Sequence, residues 1–178
     1  MRKYAFRLFF DFEKEEAWYN EMAQKGWMLD GYFLIAYRFA KGEPGEYVYR
    51  EELLPRLADS SESHAYLDFL KDADVEVVAT WGKWVIYRRK ASDGIFELYT
   101  DADSRTAHYR RVSRLFLFCC AVELAVVLLV ILALLVDPSW LLLFPLLANF
   151  LIGLALFLVG WRFRKKYRRL AKERQLLE

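Results

Sequence analysis

The sequence has few of the residues that build reactive or cross-linked sites. It contains two cysteines and two histidines in 178 residues. Cys119 and Cys120 are adjacent within an apolar run, so they cannot bridge distant parts of the chain, and we interpret them as small apolar fillers. This scarcity excludes a disulfide-stapled secreted module and offers no ligand set for a metal.

Recognised catalytic motifs are also missing from the sequence. There is no HExxH, CxxC, GxSxG or glycine-rich phosphate loop. His64 lies near the start of a predicted helix, and His108 lies among arginines. Four carboxylates near the start of the chain are interpreted as a solvated helix face: Glu13, Glu15, Glu16 and Glu21. We therefore predict no catalytic residues, no cofactor and no metal, and we do not expect an enzyme.

Charge is divided unevenly along the chain. Residues 1–104 hold 14 Lys/Arg against 20 Asp/Glu, whereas residues 105–178 hold 12 against 4. The net charge of +2 therefore describes neither half. An acidic N-terminal part disfavours nucleic acid as a partner. The pattern indicates a small acidic domain joined to a membrane anchor.

Two long apolar runs predict a transmembrane helical hairpin over residues 115–161. Residues 115–136 are apolar except for Glu123, and residues 140–161 carry no charge. Each run is 22 residues long, about 33 Å as a helix, which is enough to cross a bilayer core of about 30 Å. The turn at 137–139 has no Lys or Arg, so the positive-inside rule predicts an inner-membrane protein with both termini cytoplasmic. We expect seven flanking residues to contact lipid head groups: Arg110, Arg111, Arg114, Arg162, Arg164, Lys165 and Lys166.

Glu123 is the one charged residue within the predicted spans. One hypothesis is an intramembrane polar pair, because antiparallel counting brings Asn149 within about one helical turn of its depth. Asn149, Gly153 and Gly160 also share a helix face, which favours close approach of the two helices. The alternative is a protonated glutamate that its apolar neighbours tolerate.

Residues 1–91 predict an acidic α+β globular domain. Alternation over 4–12 indicates a strand, and a helix follows that Gly26 ends. Residues 27–39 are predicted to form one long or bent strand, and residues 47–53 a further strand after the turn at 42–45. Ser60 or Ser61 caps a second helix, and a last hairpin turns at Gly82. The order predicts a ferredoxin-like βαββαβ(β) sandwich with both helices on one face of the sheet.

The strand at 27–39 is apolar on both sides, since Phe33, Ile35, Tyr37 and Phe39 alternate with other apolar residues. We expect its second face to be covered by the connector near residues 96–99, by a second copy of the chain or by a protein partner. Residues 92–114 are interpreted as that connector and a juxtamembrane basic helix capped by Asp101 or Asp103. Residues 162–178 form a basic cytoplasmic tail.

Several blocks of sequence resemble a bacterial family, domain-of-unknown-function family twenty-eight-twelve. They include Phe10 to Glu16 with Trp18, Asn20 to Ala23, Lys25 to Trp27, Glu43 to Arg50, Trp81 to Trp84, Phe96 to Tyr99, and Asp101 to Tyr109. The resemblance covers roughly residues 3–112. It implies two-span membrane proteins often encoded beside PadR-type regulators, and it assigns no catalytic residue.

The sequence therefore predicts a membrane-anchored cytoplasmic binding or regulatory module. Membrane lipids and either a protein partner or a second copy of the chain are the expected partners. A first alternative is an accessory subunit of a membrane transport or envelope-stress system that acts through its transmembrane hairpin. A second alternative is an enzyme acting on lipid, for which a pocket joining a carboxylate to His108 would be the sign.

Overall fold

The N-terminal half of the chain forms two three-stranded antiparallel sheets in the computed structural model, which describes residues 1–99 and 101–175. In the first sheet the order is β1-β3-β2, with β1 Arg2–Phe6, β2 Trp27–Phe33 and β3 Ala36–Lys41. In the second the order is β4-β6-β5, with β4 Tyr47–Leu53, β5 Glu76–Trp81 and β6 Trp84–Lys90. The α+β class is confirmed, and the fold is roughly ferredoxin-like with its sheet divided in two.

The sequence predicts where the first short helix of this unit ends and where the second begins. The strand predicted over 4–12 is too long, because β1 ends at Phe6 and the first helix begins at Phe12. Helix α1 (Phe12–Gln24) starts after Asp11, whose side chain accepts a hydrogen bond from the Glu13 amide. It ends before Gly26, which adopts a φ of 75° that a residue with a side chain rarely takes. Helix α2 (Ser61–Asp72) starts after Ser60, whose hydroxyl accepts from the Ser63 amide.

Each helix covers its own hydrophobic core. Helix α1 packs on both sheets, and the core beneath it contains Trp18, Tyr19, Met22, Leu29, Tyr37, Phe39, Tyr49 and Ile86. The second core contains Leu54, Leu70, Val75, Val85, Tyr87 and Phe96. Because neighbouring strand residues point to opposite faces, Ile86 lies on one side of the second sheet and Val85 and Tyr87 on the other. Helices α1 and α2 therefore cover opposite faces of that sheet, whereas one shared face was predicted.

The compact N-terminal unit extends to residue 100 and not only to residue 91. The reason is Phe96, which is buried in the second core. Its packing partners place the supposed connector against the α2 side of the domain and not against β3. Coverage of the β3 strand by the connector is therefore a wrong prediction.

The predicted long strand at 27–39 is two strands joined by a tight turn. Phe33 pairs with Ala36, and Leu34 and Ile35 form the turn between them. Tyr37 and Phe39 are buried as predicted, but Phe33 is 72% exposed and Ile35 is 39% exposed. The prediction failed there because this turn contains no glycine, proline, asparagine or aspartate, the residues that usually mark a turn in a sequence.

The C-terminal unit, residues 101–178, contains two long helices that pack against each other. Helix α3 spans Ala102–Val136 and is capped by Asp101, which accepts a hydrogen bond from the Ser104 amide at 2.7 Å. Helix α4 spans Leu143–Gln175 after one short turn of 3-10 helix at Trp140–Leu142. Both helices are long and apolar enough to cross a membrane. Residues 176–178 of the predicted tail lie outside the described residues.

Candidate functional site

A groove of about 440 Å³ lies in the N-terminal unit where strands β2 and β5 face each other. Each of the two is an edge strand of its own sheet. Both have an irregular register at the groove, between Leu29 and Gly31 in β2 and between Val77 and Ala79 in β5. Such bulges bend a strand and interrupt its pairing. The two edges therefore lie side by side without joining into one sheet.

One wall of the groove carries an ion pair. The Arg38 Nε donates to Asp30 Oδ1 at 2.6 Å, and its Nη2 donates to the Asp30 carbonyl oxygen at 3.1 Å. Gly31 makes this arrangement possible, since a Cβ at that position would lie 3.0 Å from the Arg38 guanidinium. The pair fixes one positive and one negative group at the rim.

The floor of the groove is aromatic and leads to a buried carboxyl. The rings of Tyr32 and Tyr37 are 5.0 Å apart between centroids. Behind them, the Tyr37 hydroxyl donates to Glu15 Oε1 at 2.7 Å, and the Tyr19 hydroxyl donates to the same oxygen. Tyr37 thus lines the groove and also contacts the interior of the domain.

A second buried carboxyl belongs to Glu51 on strand β4. It is only 6% exposed, and its Oε2 has no hydrogen-bond partner among the described residues. Its neighbour Glu16 is held in place from two sides: Glu16 Oε2 accepts from the Glu51 amide at 3.0 Å, and Glu16 Oε1 accepts from Arg50 at 3.2 Å. We call Glu15, Glu51, Tyr19 and Tyr37 the buried carboxyl cluster.

Burial dominates the electrostatics of this cluster. It raises the pKa of Glu15, although the hydrogen bonds from Tyr19 and Tyr37 oppose the rise. Burial raises the pKa of Glu51 well above its ordinary value, and the charges of Glu15 and Glu16 raise it further. Burial also raises the pKa of Glu16, against the lowering effect of Arg50. The interior therefore favours a protonated Glu51.

The interpretation of the early glutamates as a solvated face is wrong for Glu15, which is buried, and for Glu16, which is largely covered. It holds for Glu21, which is exposed and forms an ion pair with Lys25. The helical spacing of the sequence could have identified Glu15 as buried. Glu15 lies three residues before Trp18 and seven before Met22, so all three share the core face of α1. Glu51 similarly alternates with the buried Tyr49 and Leu53 on β4.

The four predicted second-face residues fall in three places. Phe33 and Tyr37 line the groove. Phe39 belongs to the α1 core, where it packs edge-on against Trp18. Ile35 lies in the exposed turn between β2 and β3.

The predicted hydrogen bond between Glu123 and Asn149 is not formed among the described residues. The Asn149 amide nitrogen donates instead to the Pro145 carbonyl oxygen at 2.7 Å, within its own helix. Glu123 Oε2 has no hydrogen-bond partner in the described part of the chain. The small residues do allow close packing, as predicted: a Cβ on Gly153 would lie 3.3 Å from the Glu123 Cβ.

The seven basic residues predicted to contact lipid lie on α3 and α4 beside the apolar segments. Three of them lie over aromatic rings: Arg110 over Tyr167, Arg164 over Trp161, and Lys166 over Tyr109. The others are Arg111, Arg114, Arg162 and Lys165. Their contact with lipid head groups stays a prediction.

The family model described as "Protein of unknown function (DUF2812)" matches residues 11–121. The matched part includes both sheets from α1 onward, all of the groove except Tyr4, and the first half of α3. No curated protein matches the chain. No solved structure matches it either.

Proposed function

We propose that this chain, which belongs to the DUF2812 family of proteins of unknown function, is a membrane-anchored binding module. Its N-terminal domain binds an extended segment of a protein partner in the groove between β2 and β5. The observation that carries the proposal is the pair of edge strands that face each other across an aromatic-lined groove.

Edge strands suit an extended peptide because their outer backbone groups can pair with one further strand. The volume of about 440 Å³ is within the range of ligand sites, roughly 300–1,000 Å³. The Tyr32 and Tyr37 rings supply apolar contact area, and the Arg38–Asp30 pair supplies one group of each charge. Together these features favour a peptide with alternating apolar and polar residues over a compact anion.

The proposal places the domain on the cytoplasmic side of the inner membrane. The two apolar helices support a membrane location, and the distribution of Lys and Arg in the sequence supports the orientation. A regulatory role follows if peptide binding changes what the anchored domain contacts. The proposal assigns no catalytic reaction and no nucleic-acid partner to the chain.

The test compares the proteins that co-purify with the intact chain from detergent extracts of its own cells. Thr80→Trp fills the groove from β5, and Val77→Trp adds the same bulk to an exposed position of the same strand outside the groove. A third version replaces the transmembrane hairpin with an unrelated one. We expect Thr80→Trp to lose a partner that Val77→Trp and the hairpin replacement both keep. Retention by Thr80→Trp would contradict the proposal.

A second candidate function is an accessory subunit that acts through its transmembrane hairpin. Glu123 favours it, since this carboxyl lies within an apolar segment and its Oε2 has no hydrogen-bond partner among the described residues. A polar group in hydrocarbon usually contacts another polar group. In the same experiment, loss of the partner in the hairpin replacement, with retention in Thr80→Trp, would support this second function.

A further inference from the structure

The edge strands of the two sheets differ in how they are protected from pairing with another chain. The outer edge of β4 is capped by α1, since the Asn20 amide group donates to the Tyr49 carbonyl oxygen at 3.1 Å and accepts from the Tyr49 amide at 2.8 Å. Strands β2 and β5 contain bulges and face each other across the groove. Caps and bulges of this kind prevent edge-to-edge pairing. Strand β1 has neither among the described residues.

Strand β1 is regular, and half of its backbone groups face away from the sheet. Its five residues pair with β3 without a shift in register. The Arg7 amide donates to the Ile35 carbonyl oxygen at 2.9 Å, and the Met1 carbonyl oxygen accepts from the Lys41 amide at 3.1 Å. Residues with odd numbers therefore make the bonds to β3, because bonding alternates along an antiparallel strand. The outward N–H and C=O groups belong to the even-numbered residues Arg2, Tyr4 and Phe6.

Two of the cations near β1 are held on aromatic rings and do not guard this edge. A lysine on an edge strand usually hinders pairing. The Lys3 Nζ, however, lies over the Trp27 ring, 5.4 Å from its centroid. The Arg7 guanidinium similarly lies over the Trp18 ring at 5.0 Å. The edge of β1 is therefore open to a further strand.

We propose that β1 pairs antiparallel with β1 of a second copy of the chain, about a two-fold axis at Tyr4. The two copies of the first sheet then form one continuous sheet, with about six new backbone hydrogen bonds. The Tyr4 rings, each 61% exposed, meet at the axis, and Arg2 of each copy lies opposite the 72% exposed Phe6 of the other. Arg2 is available for this contact, since its side chain is 65% exposed and its Nε is 3.9 Å from Asp30.

Charge selects this register, and membrane anchorage favours a second copy as the occupant. Parallel pairing would set Arg2 against Arg2 and Lys3 against Lys3, and like charges directly opposite each other destabilise a sheet. Antiparallel pairing about Tyr4 instead places the two Arg2 residues about 14 Å apart between Cα atoms. The contact is small, with a strand of five residues from each copy. Anchorage of both copies in one membrane by their apolar helices raises their effective concentration and offsets this.

The test is oxidative cross-linking of the full chain in lipid vesicles, with Cys119 and Cys120 replaced by alanine. Tyr4→Cys should cross-link with itself, because opposite residues lie about 5.5 Å apart between Cα atoms, within reach of a disulfide. Arg2→Cys alone and Phe6→Cys alone should cross-link poorly, since the same residue of the other copy lies about 14 Å away. A mixture of these two variants should cross-link several-fold faster than either alone. This readout does not depend on the groove between β2 and β5.

The outward amide of Tyr4 is tested in the same mixture. Tyr4→Pro removes this amide hydrogen and leaves the bonds to β3 intact, so it should reduce the mixed cross-link several-fold. Tyr4→Ala is the matched control, because it removes the same ring but keeps the amide, and it should reduce the cross-link less. The unfolding midpoint of each variant shows that the domain is folded.

Three results would overturn the proposal. The first is the absence of a cross-link from Tyr4→Cys, which would leave the edge to a strand of another protein. The second is equal cross-linking by Arg2→Cys alone, Phe6→Cys alone and their mixture, which would show collision without register. The third is equal cross-linking by folded Tyr4→Pro and Tyr4→Ala, which would show that the outward backbone makes no bond.

Discussion

Burial raises the pKa of both carboxyls in the buried cluster, and it raises that of Glu51 well above its ordinary value. Tyr19 and Tyr37 both donate to Glu15, and such bonds favour its ionised form. Glu51 has an oxygen without a partner among the described residues and lies close to two other carboxyls. The fold therefore favours the protonated form more strongly at Glu51 than at Glu15. A carboxyl kept neutral by burial makes the stability of the domain depend on pH.

The sign of that dependence gives the first prediction. The folded-state pKa of Glu51 is raised, so its contribution to stability is complete below its unfolded pKa, near 4.3–4.5, and is lost as the pH rises through the folded value. Glu51→Gln removes this loss. We expect it to raise the free energy of unfolding more at pH 8 than at pH 5, because the ionised form that the fold disfavours is no longer available.

Chemical unfolding of the full chain in detergent, followed by tryptophan fluorescence at several pH values, measures this effect. Glu21→Gln is the control, because Glu21 is exposed and paired with Lys25. A Glu51→Gln protein destabilised equally at pH 5 and pH 8 would show that the carboxyl is ionised in the folded domain.

Leu34 carries the second prediction at the scale of single residues. A left-handed backbone costs a residue with a side chain about 1–2 kcal/mol, and glycine loses about 0.5–1 kcal/mol more entropy on folding. Leu34→Gly should therefore increase the stability of the domain by about 0.5–1 kcal/mol. Gly82→Ala is the reverse control, since Gly82 has a φ of 61° and open space around it. It should destabilise by a similar amount. Destabilisation by Leu34→Gly would mean that the leucine side chain packs within the domain.

At the scale of elements, the packing of α3 on α4 depends on small residues. A Cβ on Gly160 would lie 3.0–3.2 Å from Leu117, including its backbone nitrogen, and the Ser113 hydroxyl donates to the Gly160 carbonyl oxygen at 2.9 Å. The helices cannot keep this distance if residue 160 gains a side chain. Gly153 is less tightly packed, because its nearest neighbour is a side-chain carbon at 3.3 Å.

Gly160→Ala should therefore weaken the hairpin by about 1–2 kcal/mol, and Gly153→Ala by less. The measurement is fluorescence energy transfer between labels on α3 and α4 while denaturing detergent is titrated in. The loss of transfer gives the stability of the packed helices. If Gly153→Ala is the more damaging of the two, the close contact of the helices lies nearer to Glu123 than the geometry indicates.

A double-mutant cycle examines the polar residues of the same helices. Because Asn149 donates to Pro145 within its own helix, substitutions of Glu123 and Asn149 should have independent effects on stability. We expect a coupling energy near zero, whereas a hydrogen bond between membrane helices contributes about 0.6 kcal/mol on average. The cycle combines Glu123→Gln and Asn149→Leu in the same titration. A coupling of about 1 kcal/mol or more would restore the pair that sequence reasoning proposed.

The sequence predicted those elements whose ends carry a recognisable residue. Asp101 and Ser60 cap helices, each one of two residues that the sequence offered, and the helix end at Gly26 and the turn at Gly82 are where they were expected. The β2–β3 turn was missed because a leucine occupies a position that glycine usually fills. The groove was missed for a different reason: it depends on how two sheets meet, which no local pattern of residues records.

The buried carboxyl cluster was missed because glutamate on a short helix is usually exposed. Two patterns in the sequence have to be combined to reveal it. Glu15 shares a helical spacing with Trp18 and Met22. Glu51 alternates with Tyr49 and Leu53 along a strand. Either spacing alone fits an exposed residue. The two carboxyls meet only when α1 packs on β4, so their proximity is a tertiary property.

At the scale of the whole molecule, the predicted topology places both ends of the chain in the cytoplasm. Flanking Lys and Arg residues and a turn without them support this orientation. A reporter enzyme that is active only outside the cytoplasm should be silent when fused before Met1 or after Glu178. The same reporter inserted at Pro138 should be active. Activity of either terminal fusion would contradict the orientation.

Helix α3 contains no glycine or proline from Ala102 to Val136, so it has none of the residues that usually allow a helix to bend. Its 35 residues make a rod about 52 Å long. A rod of that length acts as a lever: a tilt of about 10° moves one end by about 9 Å relative to the other. A force applied at Ala102, where the helix begins, is therefore carried along the rod as motion of its other end at Val136.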